Sequence, residues 1–184
     1  MNAVAVCDYG AGNTRSVRAA LTALGVHNVL TSDPDVLMTS PSVVLPGVGS
    51  ARHAMAHLTR TGAATALRER FLAGRPLFGI CLGMQLALEY SDEDGGVVTL
   101  GLVEGTTRRL DLDRSPRLGW SMVDPWGLSF YFAHGYGCDT PSVVATSEGV
   151  TAAVRAGSFF GVQFHPEKSG HAGREWLGQC LSRA

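Results

Sequence analysis

The chain has 184 residues, 45% of them hydrophobic and 17% charged, with a formal net charge of −1. That size fits one domain spanning 1–184 with a substantial core, and the composition excludes disorder and gives no reason to expect nucleic acid or an anionic membrane as a partner. No apolar run reaches membrane-spanning length and the start Met1-Asn2-Ala3-Val4 lacks the basic region of a secretory signal, so a cytoplasmic location is expected.

Residues 3–7 form a continuous apolar run, as expected of a strand buried on both faces of a parallel sheet. Residues 8–13, Asp-Tyr-Gly-Ala-Gly-Asn, are turn chemistry. Val17, Ala20, Leu21 and Leu24 then repeat at helical spacing until Gly25 stops them. Further strands are predicted over 26–30, 42–45 and 76–80, and helices over 51–58, 64–72 and 82–90. Strands alternating with helices imply right-handed βαβ units around a parallel sheet. Past the polar loop 92–96, the short runs 97–102, 118–123, 128–133, 143–145, 152–154 and 159–164 read as a mixed or antiparallel extension of that sheet. Ser169 is predicted to cap a last helix reaching Leu181. The fold class is α/β, an open, mostly parallel sheet flanked by helices.

Gly79-Ile80-Cys81-Leu82-Gly83 follows the apolar pair Leu77-Phe78 and has the form of a nucleophile elbow with cysteine in place of serine. The turn would place Cys81 at a helix N-terminus, where a thiolate is favoured, and a base could keep it ionised. His165 is a candidate base, and Glu167, two residues on, can orient its imidazole. The turn Pro46-Gly47-Val48-Gly49 can present the Val48 and Gly49 amides to a developing oxyanion, with the Leu82 N–H as a further donor. Cys7, Cys138 and Cys180 read as small apolar fillers, and no cysteine spacing suggests a metal or cofactor.

Together these motifs resemble the class I, triad-type glutamine amidotransferases, and within them the glutaminase subunits of imidazole glycerol phosphate synthases. The resemblance covers nearly the whole chain: residues 4–13 with Arg15-Ser16-Val17, the Pro46–Gly49 turn, Gly79 to Gln85, Gly119-Trp120, Tyr131-Phe132-Ala133-His134, and Gly161 to Ser169. It implies a flavodoxin-like fold and hydrolysis of glutamine to glutamate and ammonia through Cys81, His165 and Glu167. It implies that Gln85, Glu93 and backbone around Gly135-Tyr136 hold the amino-acid end of glutamine, although Asp92 and Asp94 share the loop with Glu93. It also implies a (β/α)₈-barrel synthase as heterodimeric partner, met by Trp120, Tyr131 and Lys168, which receives the ammonia through a sheltered route. Arg117, Ser121 and Gly135 depart from the family pattern in the region expected to meet the partner and the glutamine backbone. A divergent paralogue serving another amidation, a stand-alone γ-glutamyl hydrolase and a catalytically silent binding subunit therefore stand as alternatives.

Overall fold

Val4, Ala5, Val6 and Cys7 are all buried, and they alternate between two cores because successive side chains of an extended strand point to opposite faces. The computed structural model describes residues 3–10, 13–111 and 116–182, so Ala11 and Gly12 of the first turn lie outside the described residues. In chain order the elements are β1 (Val4–Cys7), α1 (Thr14–Ala23), β2 (Asn28–Thr31), α2 (Pro34–Thr39), β3 (Val43–Leu45), α3 (Ala51–Arg60), α4 (Ala63–Leu72), β4 (Leu77–Ile80) and α5 (Leu82–Gln85). There follow β5 (Tyr90–Ser91), β6 (Val97–Val98), β7 (Thr106–Arg109), β8 (Arg117–Val123), β9 (Leu128–His134), β10 (Tyr136–Asp139), β11 (Val143–Ser147), β12 (Val150–Ala156), β13 (Phe159–Val162) and α6 (Gly170–Ser182).

The main sheet has seven strands in the order β11-β12-β13-β4-β3-β1-β2. β13, β4, β3, β1 and β2 run parallel, and β11 and β12 add the antiparallel extension. Helices α3 and α4 pack on one face with Leu58 and Leu67, while α1 and α6 cover the other with Leu21 and Leu177. The remaining strands do not join this sheet. β10, β7, β5 and β6 form a second sheet, and β8 with β9 forms a separate hairpin.

Three local expectations change. The helix predicted over 82–90 ends at Gln85, because the next carbonyls are claimed by a distant segment: Leu100 N donates to Leu86 O, Leu102 N to Ala87 O and Gly101 N to Leu88 O. The same bonds hold 99–103 out of a strand, leaving only Val97–Val98 paired. Ser169 does stand just before α6, its carbonyl accepting from Gly173 N, but its hydroxyl does not cap the helix: it donates to His165 O at 2.7 Å and accepts from Tyr131 N at 2.9 Å, tying β9 to the His165 segment. The short α2 escaped the hydrophobic pattern, although Asp33 caps it by accepting from the Asp35 and Val36 amides with Pro34 behind it.

Arg70 of α4 is fully buried with no carboxylate partner among the described residues. Its guanidinium instead donates to the carbonyls of Leu37, Met38, Ser40, Pro41 and Pro76, holding the end of α2 and the entries to β3 and β4. Burial, then the nearby Arg75 charge, lowers its pKa to about 10, still well above neutrality.

Candidate active site

β3, β4 and β13 are adjacent and parallel, so the segments leaving their C-terminal ends converge at one edge of the sheet, where sites in such folds form. These segments are the Pro46–Gly49 turn, the Cys81 elbow and residues 163–167. Chain distance between Cys81 and His165 is thus cancelled by strand adjacency.

Cys81 has φ 49 and ψ −107, a backbone conformation costly for any residue with a side chain, typically by about 1–3 kcal/mol. Surrounding contacts hold it there. Its N–H donates to Val162 O at 2.7 Å, and its carbonyl accepts from Met84 N and Gln85 N. Gly83 lets the elbow approach β3, since a Cβ there would lie 2.0 Å from Leu45 O. The thiol is 6% exposed. Because α5 is a single turn, helix-dipole assistance reduces to its first free amides.

His165 and Glu167 come together as expected, but by a different route. Pro166–Lys168 forms a 3₁₀ turn rather than extended backbone. The turn brings His165 Nδ1 to 2.8 Å from Glu167 Oε1, both side chains buried. Asn13 Nδ2 also donates to Glu167 Oε1. Asn13 sits in the left-handed region (φ 76) just before α1, a conformation asparagine tolerates well, and its role was hidden inside the N-terminal signature. The His165 main chain is pinned by its N–H bond to Tyr131 O at 2.8 Å. Burial pushes the imidazole's pKa down, but Cys81 and Glu167 outweigh it and lift it to about 9. Its Nε2 is buried with no hydrogen-bond partner among the described residues, and with a pKa of about 9 it carries a proton near neutrality, the proton a departing nitrogen would need.

A cavity of about 150 Å³ opens onto Cys81 and is lined by Val48, Gly49, Leu82, Gln85, Glu93, Gly135 and Tyr136, all foreseen, together with Ala133 and His134. A water needs only about 10–15 Å³ on that measure, so the cavity has room for a small molecule and not just for solvent. Glu93 Oε2 accepts from Ala51 N at 2.7 Å at the start of α3, and burial raises its pKa. Asp94 is instead bonded to Ser50 Oγ and Asp92 lies 3.8 Å from Arg108, which sets Glu93 apart from the loop's other two acids. The carbonyls of Gly135 and Tyr136 are already taken, the first by Leu110 N and the second by Gln85 Nε2 and His134 Nδ1.

His134 was missed. Its Nδ1 lies 2.8 Å from Tyr136 O, which can only accept, so the proton is on Nδ1. Burial first, then the charges of Arg117 and His165, lowers its pKa to about 4. The ring is therefore neutral, and its bare Nε2 is buried without a partner among the described residues.

Trp120, Tyr131 and Lys168 lie outside the cavity. Trp120 is 57% exposed, with Tyr131 directly opposite it on β9 and the ring centroids 6.3 Å apart. Lys168 is exposed. The departure at Arg117 does not touch this surface: β8 alternates, and Arg117 turns inward. Its guanidinium donates to Ser147 O at 3.1 Å and Ser147 Oγ at 2.8 Å, lies 3.2 Å from Glu148, and stacks 4.4 Å over Phe132. Ser121 Oγ likewise donates to Glu148. Both departures tie the hairpin to the β11–β12 turn.

His165 should leave a signature on stability. Its folded pKa is raised from 6.5 to about 9, so its contribution is fully present below 6.5 and is lost as pH rises through about 9. The contribution is on the order of a few kcal/mol. Urea unfolding between about pH 6 and about pH 10 should weaken the native chain more than His165→Gln; equal losses would show that no such imidazolium is held.

The Glutamine amidotransferase class-I family matches residues 5–183. The chain is 43% identical over 183 residues to imidazole glycerol phosphate synthase subunit HisH of Exiguobacterium sibiricum, covering 94% of this chain and 93% of the relative. It is 42% identical to the subunit of the same name from Moorella thermoacetica, over 96% of this chain and 93% of the relative. Among solved structures, a glutamine amidotransferase superposes with a TM-score of 0.82 at 21% identity, over 98% and 99% of the two chains. PurLQS from Thermotoga maritima gives 0.77 at 20% identity, over 100% and 99%. At these identities the structures speak for the fold, and the sequence matches speak for the lineage. With its three loops gathered over one strained cysteine, the chain belongs to the class-I glutamine amidotransferase family, among relatives of the HisH kind.

Proposed function

We propose that this chain is the glutaminase subunit of an imidazole glycerol phosphate synthase, a cytoplasmic enzyme that releases ammonia from glutamine and hands it to a (β/α)₈-barrel partner in histidine biosynthesis. The observation that carries the reading is the convergence of Cys81, the His165–Glu167 pair and the Pro46–Gly49 turn around a cavity that opens onto the thiol.

Glutamine enters with its amino-acid end toward Glu93, Gln85 and the Gly135-Tyr136 backbone, placing its side-chain amide over Cys81. With the thiol proton already held on His165 Nε2, the sulfur attacks the amide carbon. The carbonyl oxygen becomes an oxyanion, received by the amides of Val48 or Gly49 and Leu82. His165 then gives its proton to the departing nitrogen, and ammonia leaves behind a glutamyl thioester. Water attacks the thioester, His165 takes that water's proton, and glutamate leaves as the thiol reforms. Glu167, itself held by Asn13, steadies the imidazolium in both halves.

In bulk water ammonia is protonated and stops being a nucleophile, so a partner must cover the mouth of the site. The outward face of β8 supports this: Leu118, Trp120 and Met122 are 66%, 57% and 52% exposed on alternate positions. The paired face of β9 carries Ala133, whose carbonyl lies 3.9 Å from Cys81 Sγ. An apolar patch beside the nucleophile suits a docking partner and counts against a stand-alone hydrolase. Because Arg117 faces inward, this patch keeps its apolar character, and the 43% and 42% identity to HisH subunits favours the histidine-pathway partner over another amidation.

Glutamine turnover should rise at least roughly tenfold when the barrel subunit is added, and Trp120→Ala should weaken the complex by about 2 kcal/mol, or roughly 30-fold in Kd. Turnover indifferent to the partner would instead identify a stand-alone glutaminase.

A further inference from the structure

Gln163, directly after β13, is 0% exposed although its side chain is polar. Its Nε2 donates to Cys81 Sγ at 3.4 Å, and its Oε1 accepts from Gln85 Nε2 at 3.1 Å. Gln85, 5% exposed, also donates from Nε2 to the Tyr136 carbonyl at 3.0 Å. Amide oxygen and nitrogen look alike, yet the direction of this chain of contacts is dictated by chemistry. A backbone carbonyl only accepts, so Gln85 must turn its NH₂ toward Tyr136. That same NH₂ faces Gln163, which must answer with its oxygen and leave its own NH₂ on the sulfur. Turning Gln163 alone would set its NH₂ against that of Gln85, and turning both would bury the Gln85 oxygen against the Tyr136 carbonyl, at a cost of about 1–3 kcal/mol for each unsatisfied group. Nothing in the hydrolytic sequence above uses Gln163.

We propose that Gln163 is a third polar group on the nucleophile, its N–H aimed by Gln85 and the Tyr136 carbonyl so as to favour the sulfur as thiolate while the thiol proton passes to His165 Nε2. The role rests on the glutaminase reading for its purpose, but it is a property of the resting thiol. An N–H facing sulfur binds a thiolate more strongly than a thiol, because the bond to an ion is charge-assisted. When sulfur charge is drawn into the new carbon–sulfur bond this contact weakens, so Gln163 acts on the population of the attacking form and not on the oxyanion. It also fixes where the sulfur sits, since the donor comes from β13 and the strained backbone from β4.

The test is alkylation of Cys81 by iodoacetamide without glutamine, followed by peptide mass spectrometry from about pH 5 to about pH 10. Gln163→Leu should move the midpoint of the pH profile up by about one unit and slow alkylation near neutrality roughly tenfold. Gln163→Glu, which turns acceptors toward the sulfur, should move it further. Gln85→Leu leaves Gln163 in place but unaimed and should give a smaller shift in the same direction; it decides the matter if the Gln163 variants do not fold. Midpoints unchanged in folded variants would overturn the proposal, even if glutamine turnover fell. Failure of the native chain to hydrolyse glutamine, alone or with the barrel subunit, would count against the glutaminase reading and leave the thiol measurement standing.

Discussion

Cys81→Ala is expected to lower glutamine hydrolysis by roughly 10⁴-fold or more, the scale on which removing a hydrolytic nucleophile acts. The same variant, assembled with the barrel subunit, should sustain synthesis from added ammonia at the native rate, because the cysteine lies only on the route by which ammonia is made. The fold should survive the change. Alanine relieves the demand for a thiol in a nearly closed site, and the strained backbone at φ 49 is held by the Val162 and α5 contacts, not by the side chain. Measuring glutamate release and ammonia-driven product formation on one preparation separates the two activities. Persistent glutamate release from the variant would mean that the nucleophile has been misassigned.

Gly47→Ala should be as damaging, for a reason that lies wholly in packing. A Cβ at position 47 would stand 1.8 Å from Ile80 O, 2.4 Å from Leu82 N and 2.9 Å from Gly83 N. All three are backbone atoms of the elbow and cannot swing aside as a flexible side chain can. The 46–49 turn must therefore lift away from Cys81, taking the Val48 amide out of reach of an oxyanion. Overpacking of this kind costs about 3 kcal/mol, and the loss of an oxyanion donor lowers turnover by roughly 10²- to 10³-fold. A urea midpoint and a glutaminase rate both close to native would refute the close approach of the two loops.

The proposed triad was legible in the sequence because its cysteine and histidine each carry their own local grammar. Cys81 sits between glycines after a buried strand, and His165 is followed by a proline that ends extended structure. The geometry joining His165 to Glu167 could not be read, because whether Pro166 begins a 3₁₀ turn depends on Ser169 bonding back to His165 and across to Tyr131. Likewise the helix after Cys81 has a good helical pattern to Tyr90, yet the carbonyls of Leu86, Ala87 and Leu88 accept from amides fourteen or so residues away instead of from within the helix. Gln163 and His134 were visible only as members of motifs. Their neighbours, Cys81 and Gln85 for one and Tyr136 and Arg117 for the other, belong to other strands or loops.

By itself, then, the amino-acid sequence determined the α/β class, the parallel core built of short apolar strands, and the candidates for nucleophile, base and orienting carboxylate. Those features depend on periodicity and on residues adjacent in the chain. Tertiary structure alone decided which strands are neighbours, and so why Pro46–Gly49, Cys81 and His165 share one edge. It decided that Arg117 faces inward while Leu118, Trp120 and Met122 face out, because the pleat of a hairpin has meaning only once one side is packed. It also decided the direction of the Gln85–Gln163–Cys81 chain, since a buried amide is oriented by the acceptors that surround it and not by its place in the sequence.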